Sequence, residues 1–138
     1  MKDSKLTLGA AFVVAGAMGA WGIHGIEAQQ QPAPFTRTIL QTHDLSAQGR
    51  SVVVARVDFQ PGAEISKHTH PGEEAGYVLE GTLTLEVEGR PTVTLKAGDV
   101  FFVEAGRVHA GRTSNTPGKV LATYIVEKGK PLATAVNP

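Results

Sequence analysis

The apolar residues that follow Ile26 come in short runs with a period of two, and glycine, proline and asparagine interrupt these runs. Side chains of a β-strand alternate between its two faces, so this spacing indicates strands with one buried face. No stretch beyond Ile26 keeps the 3.6-residue apolar period of a helix for three turns. Short strands separated by frequent turn signals predict an all-β domain, a sandwich or a barrel.

The clearest hairpin signal is the segment that starts at Thr82, TLTLEVEGRPTVTL. Glu88 and Gly89 are placed to form the turn between two alternating runs. Pro91 then falls at the start of the returning strand, where its missing N–H is tolerated.

Residues 1–28 form a segment with a different character. A short, weakly basic head precedes Leu6–Ile23, which carries no charge, and Ile26 and Ala28 are suitable flanks for cleavage after Ala28. This pattern predicts an export signal, and therefore a periplasmic or secreted domain. Two alternatives stay open: an uncleaved membrane anchor, since the uncharged run is just long enough to cross a bilayer, and a buried helix of the fold.

The remaining chain is predicted to be one domain, because it contains no internal repeat. QQQPAP, residues 29–34, is typical of an extended linker, so the domain is placed at residues 35–138. Acidic and basic side chains are equal in number, 13 each, which gives no electrostatic reason to expect nucleic acid or anionic lipid as a partner. The chain has no cysteine, so thiol catalysis and thiolate metal ligands are excluded. Its stability must come from the core, helped by a metal or a second subunit.

Two histidines and two glutamates lie within the seven residues His68–Glu74. On a strand, His68 and His70 share a face with their side chains about 7 Å apart, close enough to bind one metal ion. Taken alone, the pair also fits an ordinary polar strand. Its spacing is more informative, because two segments have regular intervals: Gly62-x5-His68-x-His70-x3-Glu74-x6-Gly81 and Gly98-x5-Glu104-x-Gly106-x2-His109.

These two segments resemble the two motifs of the cupin superfamily, which are carried by a small jelly-roll barrel. The first motif is matched at every position, and the second is matched at Gly98, Gly106 and His109. The second departs from the family pattern at Glu104, where the family has proline, and at Thr113, where it has asparagine. Both positions serve loop shape in the family. The resemblance implies a jelly-roll fold and four metal ligands: His68, His70, Glu74 and His109.

Three neutral imidazoles and one carboxylate suit a divalent transition metal, Fe, Mn, Ni, Cu or Zn. Glu74 is preferred over Glu73 as the ligand, since only Glu74 has the six-residue spacing to Gly81. Glu73 is assigned to the loop surface or to the second layer around the ion. His24 falls in the export segment, and His43 is interpreted as a surface or subunit-contact residue.

Residues for substrate binding are harder to choose from the sequence. Arg56 could hold a substrate carboxylate if its strand face points into the barrel, although an outward arginine paired with an acid is the competing interpretation. Strand alternation turns either Phe101 or Phe102 toward the cavity, and Phe102 is the candidate chosen. Tyr124 is interpreted as core packing, and Glu104 as a possible further carboxylate at the barrel mouth.

Three functions fit these residues. The first is a small-molecule metal-dependent oxidoreductase, dioxygenase-like, in which Glu74 leaves the metal and accepts a substrate proton. The second is a non-catalytic module that binds or senses a small ligand, and the third is a metal-assisted decarboxylase or isomerase. Resemblance to small cupins also implies a homodimer, in which the segment FTRTILQTHDL covers a sheet edge.

Overall fold

The computed structural model describes residues 33–136, so the predictions of an export signal or anchor at residues 1–28 fall outside it. None of the described residues forms a helix with the length and apolarity that crossing a bilayer takes. The all-β prediction for this range is confirmed. The strands, in chain order, are β1 (Phe35–Asp44), β2 (Arg50–Phe59), β3 (Glu64–Thr69), β4 (Gly72–Glu80), β5 (Thr82–Val87), β6 (Val93–Lys96), β7 (Val100–Val103), β8 (His109–Thr113), β9 (Gly118–Glu127) and β10 (Thr134–Ala135).

The ten strands form two antiparallel five-stranded sheets. The first has the order β1-β2-β9-β4-β7 and the second has the order β10-β3-β8-β5-β6. Apart from β1–β2 and β5–β6, every pair of consecutive strands is divided between the two sheets, so strands that are distant in the sequence become neighbours. Residues of the two central motifs are thereby brought to the space between the sheets.

The core lies between the two sheets and follows the alternation seen in the sequence. In β2 the residues Ala55, Val57 and Phe59 point inward and are buried. In β9 the inward positions begin at Val120 and include Tyr124, which is 1% exposed. A valine or phenylalanine side chain contributes about 1.5–3 kcal/mol when fully buried, so these two adjacent strands stabilise the first sheet.

Two glycine turns shape the strands next to the site. The β5–β6 hairpin turns at Gly89, which has a φ of 78°, and Arg90 N–H donates to the Val87 carbonyl at 3.0 Å. The predicted hairpin is confirmed, although the returning strand starts at Val93, two residues beyond Pro91. Gly81, between β4 and β5, has a φ of 73°, and a Cβ there would lie 2.3 Å from the Pro117 carbonyl oxygen.

Thr113 shows why an asparagine is dispensable at that position. Its buried hydroxyl accepts a hydrogen bond from Ala63 N–H at 2.9 Å and donates one to the Gln60 carbonyl at 2.9 Å. The turn that leads into β3 is thereby tied to β8. The role in loop shape that the resemblance implies is fulfilled here by a threonine.

Candidate metal centre

Strands from both sheets place the four predicted ligands around one point. His68 on β3 and His109 on β8 stand directly opposite each other in the second sheet. His70 follows one residue after the end of β3. Glu74 lies on β4 of the first sheet, where alternation turns it toward the core and leaves it 7% exposed.

The distances show a compact cluster. The ring centroids of His68 and His109 are 4.1 Å apart, and the His70 ring lies 4.9 Å from His68 and 5.0 Å from His109. One ring nitrogen of each histidine lies within 4.8 Å of the others. The Oε2 atom of Glu74 is 3.2 Å from His70 Nε2 and 3.3 Å from His109 Nε2.

Hydrogen bonds to the backbone fix the tautomer of all three histidines. In each ring Nδ1 lies within hydrogen-bond distance of a carbonyl oxygen, which can only accept, so Nδ1 carries the proton and donates it. In the neutral imidazole, Nε2 then carries no proton and has a free lone pair. The three acceptors are the carbonyls of Ser66 for His68 at 2.9 Å, Leu132 for His70 at 2.5 Å and Arg107 for His109 at 2.9 Å.

Two of these lone pairs have no hydrogen-bond partner. The Nε2 atoms of His70 and His109 are buried and unsatisfied, and both face the carboxylate of Glu74. An unsatisfied buried polar group costs about 1–3 kcal/mol, and a carboxylate facing two lone pairs adds repulsion. A divalent cation among these atoms would remove both penalties. The donor set therefore fits a transition metal of the borderline class.

The ionisation states agree with this interpretation. Burial lowers the pKa of His68 to about 4, so its imidazole is neutral at physiological pH and able to bind a metal. Burial opposes ionisation of Glu74, but the neighbouring imidazoles of His109 and His70 outweigh it and lower the pKa of Glu74 to about 2, so this side chain is a carboxylate. A metal ion at this point would bind the carboxylate and the free Nε2 lone pairs together.

We expect the metal-free domain to lose stability as the pH falls from 6.5 to about 4. In the unfolded chain His68 gains its proton near 6.5, whereas in the folded domain it does so near 4. Protonation therefore favours unfolding throughout that window, and below it both states carry the proton. Urea unfolding at several pH values measures the free energy of unfolding as a function of pH. We expect His68→Gln to reduce this pH dependence, and His43→Gln, at an exposed position, to leave it unchanged. Equal pH dependence in wild type and His68→Gln would contradict the expectation.

The C-terminal segment also supports the histidines. Strand β10 pairs with the histidine strand through Thr134 with Thr69 and Ala135 with His68. This places the Leu132 carbonyl on Nδ1 of His70. Sequence reasoning missed this contact, since a backbone acceptor leaves no residue-type signal.

An open cavity leads to the cluster. It encloses about 480 Å³, counting the space open to solvent at its mouth. His68, Glu74 and His109 lie at its polar end, together with Tyr124 and Arg37. Burial raises the pKa of Tyr124, and the charge of Glu74 raises it further, so the phenol stays protonated. The other walls are mostly apolar: Phe35, Val57, Phe59, Ile65, Leu83, Leu85, Phe101, Ala110, Gly111 and Val120.

The structure corrects both predicted substrate-binding residues. Arg56 lies outside the cavity, because β2 turns its neighbours Ala55 and Val57 inward, and its guanidinium pairs with Asp58 at 2.8 Å. Phe102 is 49% exposed on the outer face, whereas Phe101 lines the cavity.

The structure also shows where three other polar residues of the sequence analysis lie. Glu104 pairs with Arg90 near the surface and does not line the cavity. His43 is exposed on β1, as expected. Glu73 is half-buried on the face of β4 opposite to Glu74.

Comparison with known proteins places this geometry in a family. "Oxalate-binding protein" from Thermotoga maritima is 38% identical over 74 residues, covering 52% of this chain and 60% of that protein. The crystal structure of dimethylsulfoniopropionate (DMSP) lyase DddQ from Ruegeria pomeroyi matches with a TM-score of 0.58 and 28% identity, covering 63% of this chain and 44% of that one. A structure of oxalate oxidase matches with a TM-score of 0.61 and 25% identity, covering 77% of this chain and 57% of that one.

This chain thus spans less than two thirds of each of these proteins. The family model of the cupin domain matches residues 55–129, which contain all four clustered side chains. More than half of the sequence is covered by that match, and the chain belongs to the cupin family.

Proposed function

We propose that this cupin is a metal-dependent, dioxygenase-like oxidoreductase that acts on a small molecule. His68, His70, Glu74 and His109 are the proposed ligands of a divalent transition metal. One observation carries the proposal: bare Nε2 atoms, two of them buried without a partner, converge on a buried carboxylate at the end of an open cavity.

A redox-active ion in this site would supply Lewis acidity and a path for electrons between substrate and dioxygen. In a dioxygenase reaction both atoms of the dioxygen enter the product. The substrate therefore supplies all four electrons, and no further reductant is needed. Zinc would support only the non-redox alternatives.

The protein's own side chains have separate tasks in this proposal. The backbone carbonyls hold the three imidazoles in one tautomer, with Nε2 toward the cavity. Glu74 is a weak base while it lies beside His70 and His109, because they lower its pKa. Rotation of its carboxylate away from the rings would restore its basicity and let it accept a substrate proton. The apolar walls limit the access of water to that proton.

The test combines metal analysis with oxygen uptake. The domain is purified without chelators, and its metal content is measured beside His68→Ala and the matched exposed control His43→Ala. We expect a stoichiometric redox-active ion in wild type and the control, and its loss in His68→Ala. Oxygen consumption is then followed with a panel of small organic acids. Oxalate is included as a two-electron donor, whose oxidation would form hydrogen peroxide and indicate an oxidase rather than a dioxygenase. A chain without metal, or a loaded chain that consumes no oxygen with any acid, would overturn the oxidoreductase proposal.

A binding function is the second candidate, favoured by the likeness to the Thermotoga protein named for oxalate binding. A lyase-type reaction without oxygen is favoured by the likeness to DddQ. The same assay separates them: bound acid recovered unchanged indicates a binding module, and product formed without oxygen uptake indicates a decarboxylase, isomerase or lyase.

We also propose export through residues 1–28 and assembly as a homodimer. Export rests on the sequence pattern alone. The dimer is supported by an exposed apolar patch on the outer face of β4 and β7, which consists of Tyr77, Val100 and Phe102. Light scattering that gives the mass of a single chain would exclude the dimer, and recovery of the protein only in the cytoplasm would exclude export.

A further inference from the structure

Arg37 is a charged side chain that sequence reasoning did not single out, and it lines the cavity of the metal centre. In the β1–β2 pairing Arg37 stands opposite Val57, and Phe35 stands opposite Phe59. Directly opposite residues of an antiparallel pair share a face, so the burial of Val57 and Phe59 fixes the inward direction of Arg37.

Two aromatic rings hold the Arg37 guanidinium. Its central carbon lies 5.7 Å from the ring centroid of Phe35 and 5.6 Å from that of Tyr124. Both distances are within the range of a cation–π interaction. Tyr124 also contacts the metal centre, since its ring centroid lies 4.8 Å from that of His70. The guanidinium is thus placed at the border between the cavity and the cluster.

The hydrogen-bonding capacity of Arg37 is not used up within the protein. Its Nε is buried and has no hydrogen-bond partner. Across residues 33–136 no aspartate or glutamate forms an ion pair with it. Arg50 also has no acidic partner among these residues, but it does not line the cavity. The other four arginines of this range each have one: Arg56, Arg90, Arg107 and Arg112. A guanidinium without an anion beside apolar walls is costly, so the site favours an anion that completes it.

The charges at the cavity point to the same kind of ligand. With neutral imidazoles, Glu74 brings one negative charge and Arg37 one permanent positive charge. A divalent ion would leave the site with a net positive charge, and the apolar surroundings strengthen its attraction for an anion. The planar guanidinium fork matches a planar carboxylate through two parallel hydrogen bonds. A phosphate is less suited, because Arg37 is the single arginine or lysine among the described residues that line the cavity.

We propose that Arg37 binds the carboxylate of a small organic acid in this cavity and thereby selects the substrate of the metal site. The first half concerns Arg37 alone, while the second rests on the proposed function. Phe35 and Tyr124 fix the plane of the guanidinium, and with it the direction from which the acid approaches the metal centre.

The experiment measures anion binding rather than turnover. Titration calorimetry follows malonate and succinate binding to the zinc-loaded and the metal-free domain, with malonamide as a neutral analogue and inorganic phosphate as a competing anion. The variants are Arg37→Met, which keeps an apolar stem against the rings, and Arg37→Lys, which keeps the charge without the fork. Arg56→Met is the matched control, because Arg56 lies on the adjacent strand with its side chain outside the cavity.

We expect Arg37→Met to weaken binding of the tighter acid by about 10- to 100-fold, as for loss of a charge-assisted hydrogen-bonded pair. Arg37→Lys should lose less, and Arg56→Met should bind as wild type does. Malonamide should show no dependence on Arg37. Zinc content of the variants should stay stoichiometric, which shows that the cluster is intact. If Arg37→Met does not fold, Arg37→Lys gives the decision through the same titration.

The outcomes separate the two proposals. Acid binding that depends on Arg37 in a domain that takes up no metal would overturn the proposed function and support the role of Arg37. A metal-loaded domain in which Arg37 variants bind both acids as wild type does would overturn the role of Arg37. So would the absence of acid binding to wild type in both forms. Phosphate bound as tightly as malonate, with the same dependence on Arg37, would overturn the assignment to carboxylates.

Discussion

Glu74→Gln is expected to lower the metal affinity of the domain by more than 100-fold, while leaving the metal-free domain folded. Loss of a residue that only supports a ligand typically costs about 10- to 100-fold in metal affinity, and Glu74 is proposed as a ligand itself. The amide is neutral and offers N–H donors to the Nε2 atoms of His70 and His109, which lie 3.2 and 3.3 Å from the present carboxylate oxygen. Those bonds would satisfy the two unpartnered nitrogens without a metal.

Two measurements check this expectation. Competition with a chelating dye gives the metal affinity, and urea unfolding gives the stability of the metal-free domain. Glu73→Gln is the matched control, because it makes the same change at the neighbouring position on the opposite strand face. We expect the control to bind metal as wild type does. Unchanged affinity in Glu74→Gln would show that the histidines alone hold the ion, and reduced affinity in Glu73→Gln would show that the wrong glutamate was assigned.

The sequence allowed the strand content and the candidate cluster to be predicted, because both depend on local spacing. Alternation over a few residues is enough to indicate strands. The residues from His68 to Glu74 and on to Gly81 belong to one strand–turn–strand segment. Their relative positions therefore depend little on how the rest of the chain folds. His109 comes from another part of the sequence, and only the match to the family motif connected it with the others.

The residues that line the cavity could not be predicted in the same way. β2 carries valine on both faces, so the pattern does not reveal whether Arg56 or its neighbours point inward. Its register with β1 and β9 decides this, and the register depends on distant residues. β7 presents the same ambiguity, because its sequence is Val-Phe-Phe-Val. Whichever face of the strand is buried, one phenylalanine and one valine lie on it. Arg37 lies on β1, where most residues are exposed, so the sequence pattern of this strand does not reveal that Arg37 points inward.

Gly72→Ala is expected to destabilise the domain by about 3 kcal/mol or more, the upper end of the cost of overpacking. Gly72 is buried at the start of β4, directly opposite Val126 of β9. An added Cβ would lie 1.9 Å from the Ile125 carbonyl oxygen and 2.7 Å from the Val126 Cα. These are backbone atoms of a paired strand, so relief requires the first residues of β4 to move away from β9.

That movement would also reach the metal centre, because Gly72 lies midway between His70 and Glu74 in the chain. We therefore expect the variant to lose metal affinity together with stability, and zinc to restore less stability to it than to wild type. Gly49→Ala is the control: its φ of 75° makes alanine unfavourable by about 1–2 kcal/mol, but no atom lies within 4 Å of the added Cβ. Urea unfolding with and without zinc measures both effects. If Gly72→Ala cost no more than the control, the β4–β9 contact would be loose enough to yield, and the coupling between this strand pair and the ligands would be wrong.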